Sequence, residues 1–190
     1  MTSASDRRRA DRATQEPARL CSIRPVRTVL FICTGNTCRS PMAEGIAQQI
    51  SDDGRLPKEL GAMFFASAGV SAFDGASTSE ETVEVLQRMR APVPEHAKRL
   101  TAEMVRKADL VFGMTASHVL RARSLVADDV RAVARVHPLD AEGDVDDPIG
   151  MGQRAYDELG EYLRELIPRR ITELLRHEGN ADAMKEMLKP

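Results

Sequence analysis

A cysteine and an arginine bracket a short polar loop in this 190-residue chain: Cys33-Thr34-Gly35-Asn36-Thr37-Cys38-Arg39, followed by Ser40-Pro41. Arginine carries a planar fork of donors that matches two oxygens of a phosphate. A thiol ringed by backbone amides and a guanidinium favours its thiolate, the nucleophilic form. A thiolate held under phosphorus, in line with a leaving group, is a nucleophile for phosphoryl transfer. Thr34, Gly35, Asn36, Thr37, Cys38 and Ser40 would line the bound phosphate, and Arg39 would clamp it through the transition state. The leaving atom also needs a proton, from an acid that later serves as base for water. Asp147 is the candidate: it precedes Pro148 in an acidic loop, with Asp144 and Asp146 as bystanders.

Other chemistries fit less well. A cysteine after an apolar run is most often a small buried hydrophobe. The glycine-containing loop, the arginine six residues on and the Ser-Pro step set Cys33 apart. Zinc binding by Cys33 and Cys38 lacks a second ligand pair. A nucleotide-binding phosphate loop would need Gly-Lys-Ser/Thr, which is missing.

The loop needs a strand before it and a helix after it. Val29-Leu30-Phe31-Ile32 is a continuous apolar run, read as a strand buried on both faces. Ser40 suits a helix N-cap and Pro41 the first helical position. Met42, Ile46 and Ile50 then share one helix face to about Ser51. Such a strand–loop–helix start is an anion site, because loop amides converge where the helix end is partly positive.

The rest of the chain alternates. A second strand is expected over Met63–Gly69, and a helix over Ser77–Arg90, capped by Ser77, with Val83, Leu86 and Met89 inward. A short helix capped by Thr101 precedes a third strand over Asp109–Met114. Thr115 caps the next helix, with Val119 and Leu120. Val130–Val136 reads as a fourth strand at the sheet edge, and 137–150 as an acidic loop. The last helix turns Tyr156, Leu159, Leu163, Leu166, Ile171, Leu174 and Leu175 inward, with a kink or break at Pro168. This alternation implies an α/β fold: a four-stranded parallel sheet, order 2-1-3-4, in three layers with helices on both faces. The switch point lies between strands 1 and 3, beside the Cys33 loop.

Composition sets outer bounds. Apolar residues make up 42% of the chain and net charge is −2, enough for one core with no push toward nucleic acid or membrane. One folded domain is expected over 26–178, between a disordered, arginine-rich tail (1–25) and a C-terminal tail (179–190). No apolar stretch follows the tail arginines, so a secretory signal is not expected. Three cysteines, two in the loop, make no disulfide framework, and a reduced, cytoplasmic setting is expected.

The Cys-x5-Arg-Ser loop after an N-terminal strand resembles the low-molecular-weight protein tyrosine phosphatase family. Cys33-Thr-Gly-Asn-Thr-Cys-Arg-Ser-Pro-Met-Ala-Glu44 is most similar to its bacterial protein arginine phosphatase branch, and the likeness covers about residues 27–175. The resemblance implies a hydrolase that forms a cysteinyl-phosphate, uses no metal or other cofactor, and acts on phosphorylated proteins, as a monomer. It implies that Asp147 is the acid, that Asn36 is tied to a serine after strand 2 (Ser67) and to a histidine, and that Cys38 can form a protective disulfide with Cys33. His96 stands one position from that histidine and is left out of the site. Tyrosine-specific relatives place aromatics after the Asp-Pro pair, where this chain has Ile149 and Gly150, and a larger apolar residue at Thr37. Both departures imply phosphoarginine, with phosphotyrosine as the alternative. Arsenate reduction would need two further downstream cysteines, and a non-catalytic phosphopeptide module would lack the nucleophile or the acid.

Overall fold

A computed structural model of the chain describes residues 26–187, with side chains through residue 176. The strands are β1 (Arg27–Cys33), β2 (Met63–Gly69), β3 (Leu110–Gly113) and β4 (Val136–Pro138). The helices are α1 (Arg39–Asp52), α2 (Glu80–Arg88), α3 (Ala102–Lys107), α4 (Ala116–Leu125), α5 (Val130–Ala134) and α6 (Gln153–Met187). The four strands are parallel in the order β2-β1-β3-β4, as the alternation requires.

β1 separates two cores because successive side chains point to opposite faces. Val29 and Phe31 join Met42, Ile46, Ile50, Leu163 and Ile167 on the α1/α6 side. Leu30 and Ile32 join Val105, Val119 and Val126 on the α3/α4 side. Burying each such side chain contributes roughly 1.5–3 kcal/mol. Phe31 also stacks on its register partner Phe112, with ring centroids 5.9 Å apart. With both faces covered, β1 is fixed and delivers Cys33 to the carboxyl edge of the sheet. There Cys33 pairs with Gly69, the last residue of β2. A Cβ on Gly69 would lie 2.6 Å from the Thr34 carbonyl oxygen, so only glycine lets β2 end this close to the loop.

Four expectations need correction. Val130–Val136 is not one strand: α5 precedes a three-residue β4. Asp129 caps α5, accepting from the Arg131 and Ala132 amides at 3.0 Å each. The edge placement of β4 is as expected. Ser79, not Ser77, caps α2, whose buried residues are Thr82, Val85 and Leu86, while Val83 and Met89 are half-buried. α1 begins at Arg39 with Cys38 in the N-cap place, so Ser40 is not a cap; its hydroxyl has another partner, described below. Of the kink or break expected at Pro168, the break is absent: α6 runs through it. Leu163, Leu166 and Ile167 before it, and Ile171 and Leu175 after it, are all buried and hold both halves on one core. α6 continues to Met187. The basic tail at 1–25 lies outside the described residues.

Candidate active site

The loop closes around the Cys33 sulfur. Cys33 is buried, with Sγ 3.0 Å from Ser40 Oγ and accepting the Asn36 amide at 3.2 Å. Asn36 holds φ at 56°, the left-handed conformation that asparagine tolerates better than most residues. Three hydrogen bonds pin its side chain. Nδ2 donates to Ser40 Oγ at 2.9 Å and to Ser67 Oγ at 2.8 Å, and Oδ1 accepts the Lys98 amide at 2.7 Å. The serine that the resemblance implied is therefore in place. The histidine is not: His96 is exposed, and a backbone N–H two residues later takes its role.

Arg39 is buried at the start of α1. Its Nη1 donates to the Val145 carbonyl at 3.1 Å and its Nη2 to Asp147 Oδ2 at 2.5 Å. The acid loop reaches this place because three bonds anchor it to β3 and α4. Leu139 N–H donates to the Gly113 carbonyl at 2.9 Å, Val145 N–H to the Met114 carbonyl at 2.8 Å, and Ala116 N–H to Asp144 Oδ1 at 2.8 Å. Asp144, a bystander to the chemistry, is thus an anchor. Asp146 is exposed. Asp147 is partly exposed, and its Oδ1 accepts the Ile149 amide at 3.3 Å.

Cys38 is a free thiol, as is Cys33. Its sulfur lies 3.5 Å from each of Thr37 Oγ1, Ser79 Oγ and Tyr156 OH. Burial first, and then Cys38, push the Tyr156 phenol above its ordinary range. Thr37 is half-buried, and its carbonyl accepts the Ser79 amide at 2.9 Å. Thr34 and Gly35 form the outer part of the loop, with Thr34 exposed.

Three neighbours were missed in the sequence. His118 is buried and bridges Thr34 Oγ1 through Nε2 and Thr115 Oγ1 through Nδ1, each at 2.9 Å. Burial, and then the Arg39 charge, lower its pKa. Its one sequence signal is its place three residues after the helix cap Thr115. Glu44, on α1, accepts the Ser67 hydroxyl at 2.5 Å. Phe73 is 82% exposed on the turn after β2. That turn is tied to the Cys33 loop: the Val70 and Ser71 amides donate to the Cys33 and Thr34 carbonyls at 2.9 Å each. Apolar Ile149 and Met151 are exposed on the acid loop. An exposed aromatic therefore follows the segment that is bonded to the loop, after β2 rather than after the Asp-Pro pair.

Residues 28–182 match the family model described as low molecular weight phosphotyrosine protein phosphatase. The chain belongs to that family, and it is a low-molecular-weight protein phosphatase, a hydrolase. It is 34% identical over 139 residues to the low molecular weight protein-tyrosine-phosphatase PtpB of Staphylococcus haemolyticus, spanning 73% of this chain and 94% of that one. It is 33% identical over 148 residues to the protein-arginine-phosphatase of Bacillus subtilis, spanning 73% and 93%. The solved YwlE arginine phosphatase, with a serine replacing a cysteine and phosphorylated in its active site, superposes with a TM-score of 0.68. It shares 31% identity, over 78% of this chain and 95% of that one. Among the described residues, no helix is long and apolar enough to cross a membrane.

Proposed function

We propose that this chain removes phosphate from protein phosphoarginine through a cysteinyl-phosphate on Cys33. The observation that carries the reading is the buried Cys33 sulfur between the Ser40 hydroxyl and the Asn36 amide, with Arg39 bonded to Asp147 at the same loop. The phosphorylated serine in the YwlE variant supports attack from the matching loop position. In the first half-reaction the S–P bond forms as the P–N bond breaks, and Asp147 gives its proton to the leaving nitrogen. In the second, Asp147 takes a proton from water, the water oxygen bonds to phosphorus, and the S–P bond breaks. Inorganic phosphate and the thiolate are the products. The loop amides and Arg39 hold the equatorial oxygens throughout. The substrate is a phosphorylated protein met in a reduced, cytoplasmic setting.

Two features support arginine: Thr37 in the loop, and Ile149 after the Asp-Pro pair in place of an aromatic. One favours the alternative substrate, phosphotyrosine: the exposed Phe73 could cover a phenyl ring. Side-by-side hydrolysis of phosphoarginine and phosphotyrosine peptides separates the two, with Cys33→Ser as the control. Faster release from phosphoarginine is expected. Faster release from phosphotyrosine would transfer the assignment, and equal release from Cys33→Ser would end both.

A further inference from the structure

His118 stands in the first turn of α4, three residues after the cap Thr115. A side chain at that place turns back toward the cap, as in a capping box. Thr115 Oγ1 accepts the His118 backbone N–H at 3.4 Å and lies 2.9 Å from the ring Nδ1. The ring is thereby fixed, and its far nitrogen, Nε2, reaches Thr34 Oγ1 at 2.9 Å. Both hydroxyls can donate or accept, so the bridge holds in either tautomer and in the protonated ring. A Cβ on Gly113 would lie 3.2 Å from His118 Cβ and 2.9 Å from the Val119 nitrogen, so this turn seats against the end of β3 only because glycine stands there.

The two ends of the bridge belong to different halves of the site. Thr34 is the exposed residue that follows Cys33. The corner that carries His118 also carries the acid loop: the Ala116 N–H donates to Asp144 Oδ1, and the Met114 carbonyl accepts the Val145 N–H, at 2.8 Å each. The Met114 N–H in turn donates to the Ile32 carbonyl at 2.9 Å, one residue before Cys33. Backbone bonds thus join the roots of the two loops. Farther out, side chains join them: Arg39 with Asp147, and His118 with Thr34. The first link competes with bound phosphate for the guanidinium. The second does not involve the clamp, and is left to hold the spacing when phosphate is bound. The charges that bear on the His118 ring are those of Arg39, Asp144 and Asp147, so the bridge lies on the side of the Cys33 loop that faces the candidate acid.

We propose that His118 is a positioning residue for proton transfer: by holding Thr34 to the corner that carries the acid loop, it keeps the spacing between Cys33 and Asp147 while phosphate occupies Arg39. The inference rests on the reading of Cys33 as nucleophile and Asp147 as acid. The acid must lie within hydrogen-bond reach of the leaving atom as the S–P bond forms, and a small misplacement slows the step. The loss on cutting the bridge therefore scales with the leaving group's need for a proton.

The test is kcat/KM of the full chain on two aryl phosphates, nitrophenyl phosphate, whose phenolate leaves readily without a proton, and phenyl phosphate, whose phenolate does not. The proteins are the parent, Thr34→Val, His118→Ala, His118→Gln, Asp147→Asn, and Thr34→Val combined with His118→Ala or with Asp147→Asn. Circular dichroism and a thermal melt accompany each. Thr34→Val cuts the bridge at an exposed residue and keeps the side-chain shape. It and His118→Ala are each expected to lower kcat/KM about three- to tenfold more on phenyl phosphate than on nitrophenyl phosphate. The double variant is expected to widen that gap no further, since both changes cut one bridge. His118→Gln, which keeps a donor and an acceptor, is expected to recover part of the loss. In the Asp147→Asn background the extra loss on phenyl phosphate is expected to vanish. Equal losses on both substrates, no loss in a folded Thr34→Val, or an undiminished gap in the Asp147→Asn background would overturn the proposal. If His118→Ala does not fold, Thr34→Val alone decides. Should Asp147→Asn itself slow both substrates equally, the acid assignment falls and the role of His118 with it.

Discussion

Arg39 and Asp147, the candidate clamp and the candidate acid, are bonded to each other: Nη2 meets Oδ2 at 2.5 Å. The second outer nitrogen of Arg39 is held by the Val145 carbonyl of the same loop at 3.1 Å. A phosphoryl oxygen that takes a donor from Arg39 therefore competes with Asp147. Binding of the oxyanion is expected to loosen the carboxylate from its guanidinium.

Asp147→Asn should therefore divide catalysis from binding. Turnover of an aryl phosphate is expected to fall by roughly 10²–10⁴, the usual size of a lost general acid. Inhibition by inorganic phosphate is expected to be as strong or stronger, since the competing carboxylate is gone. Arg39→Ala and Cys33→Ser are expected to abolish turnover. Weaker phosphate inhibition in Asp147→Asn would count against the competition.

Substrate choice is expected to sit on two walls of the loop. Thr37→Ile should move the ratio of phosphoarginine to phosphotyrosine hydrolysis toward phosphotyrosine. Phe73→Ala should lower phosphotyrosine hydrolysis by about two- to tenfold, the equivalent of the roughly 0.5–1.5 kcal/mol an aromatic contact adds beyond its area, and spare phosphoarginine. Peptide kinetics on both variants check this. Unmoved ratios would remove both residues as selectors.

Much of this site was legible because it is local. The strand, the loop and the first turn of α1 are contiguous, and their residue types carry the geometry with them. Asp147 was legible from its Asp-Pro pair. The residues that were missed are joined only by the fold. Lys98 reaches Asn36 across 62 positions by a backbone N–H, which leaves no trace in side-chain identity. His118 reaches Thr34 across 84 positions. Phe73 follows a turn after β2 that is bonded to the Cys33 loop by backbone groups alone. The α5–β4 segment failed for another reason. Valine, alanine and arginine at 130–136 suit either element, and the Asp129 cap decided between them.

Gly69 is expected to be intolerant. A Cβ there would meet the Thr34 carbonyl at 2.6 Å and the Asn36 amide nitrogen at 2.8 Å, both backbone atoms. Gly69→Ala should destabilise the protein by about 1–3 kcal/mol, the range for overpacking, and lower turnover because the loop must shift. Urea denaturation and aryl phosphate kinetics together measure this. A variant with parental stability and rate would contradict the packing.

Stability should also depend on His118. Burial and Arg39 hold its folded pKa below the ordinary value of 6.5. Between those two values the unfolded chain binds a proton that the native state refuses. Stability is therefore complete above 6.5 and is lost as pH falls toward the lowered value. His137 is shifted in the same direction, by burial and then Arg123. Thermal midpoints of His118→Gln should fall less steeply with acid than those of the parent; an equal slope would contradict the assignment.

The cysteine pair gives a redox prediction. If peroxide converts Cys33 to a sulfenic acid, the Cys38 thiol should displace water from it and form a disulfide. Inactivation of the parent should then be reversed by dithiothreitol, and that of Cys38→Ser should not. Equal recovery would leave Cys38 as a packing residue against Tyr156 and Ser79.

The central claim is a phosphate carried on sulfur. The direct measurement is a rapid acid quench of the parent enzyme turning over a radiolabelled phosphoarginine peptide, followed by mapping of the bound label. The label should be found on residue 33, in an acid-quenched amount that rises and decays with turnover. Turnover without enzyme-bound label, or with label on another residue, would contradict it.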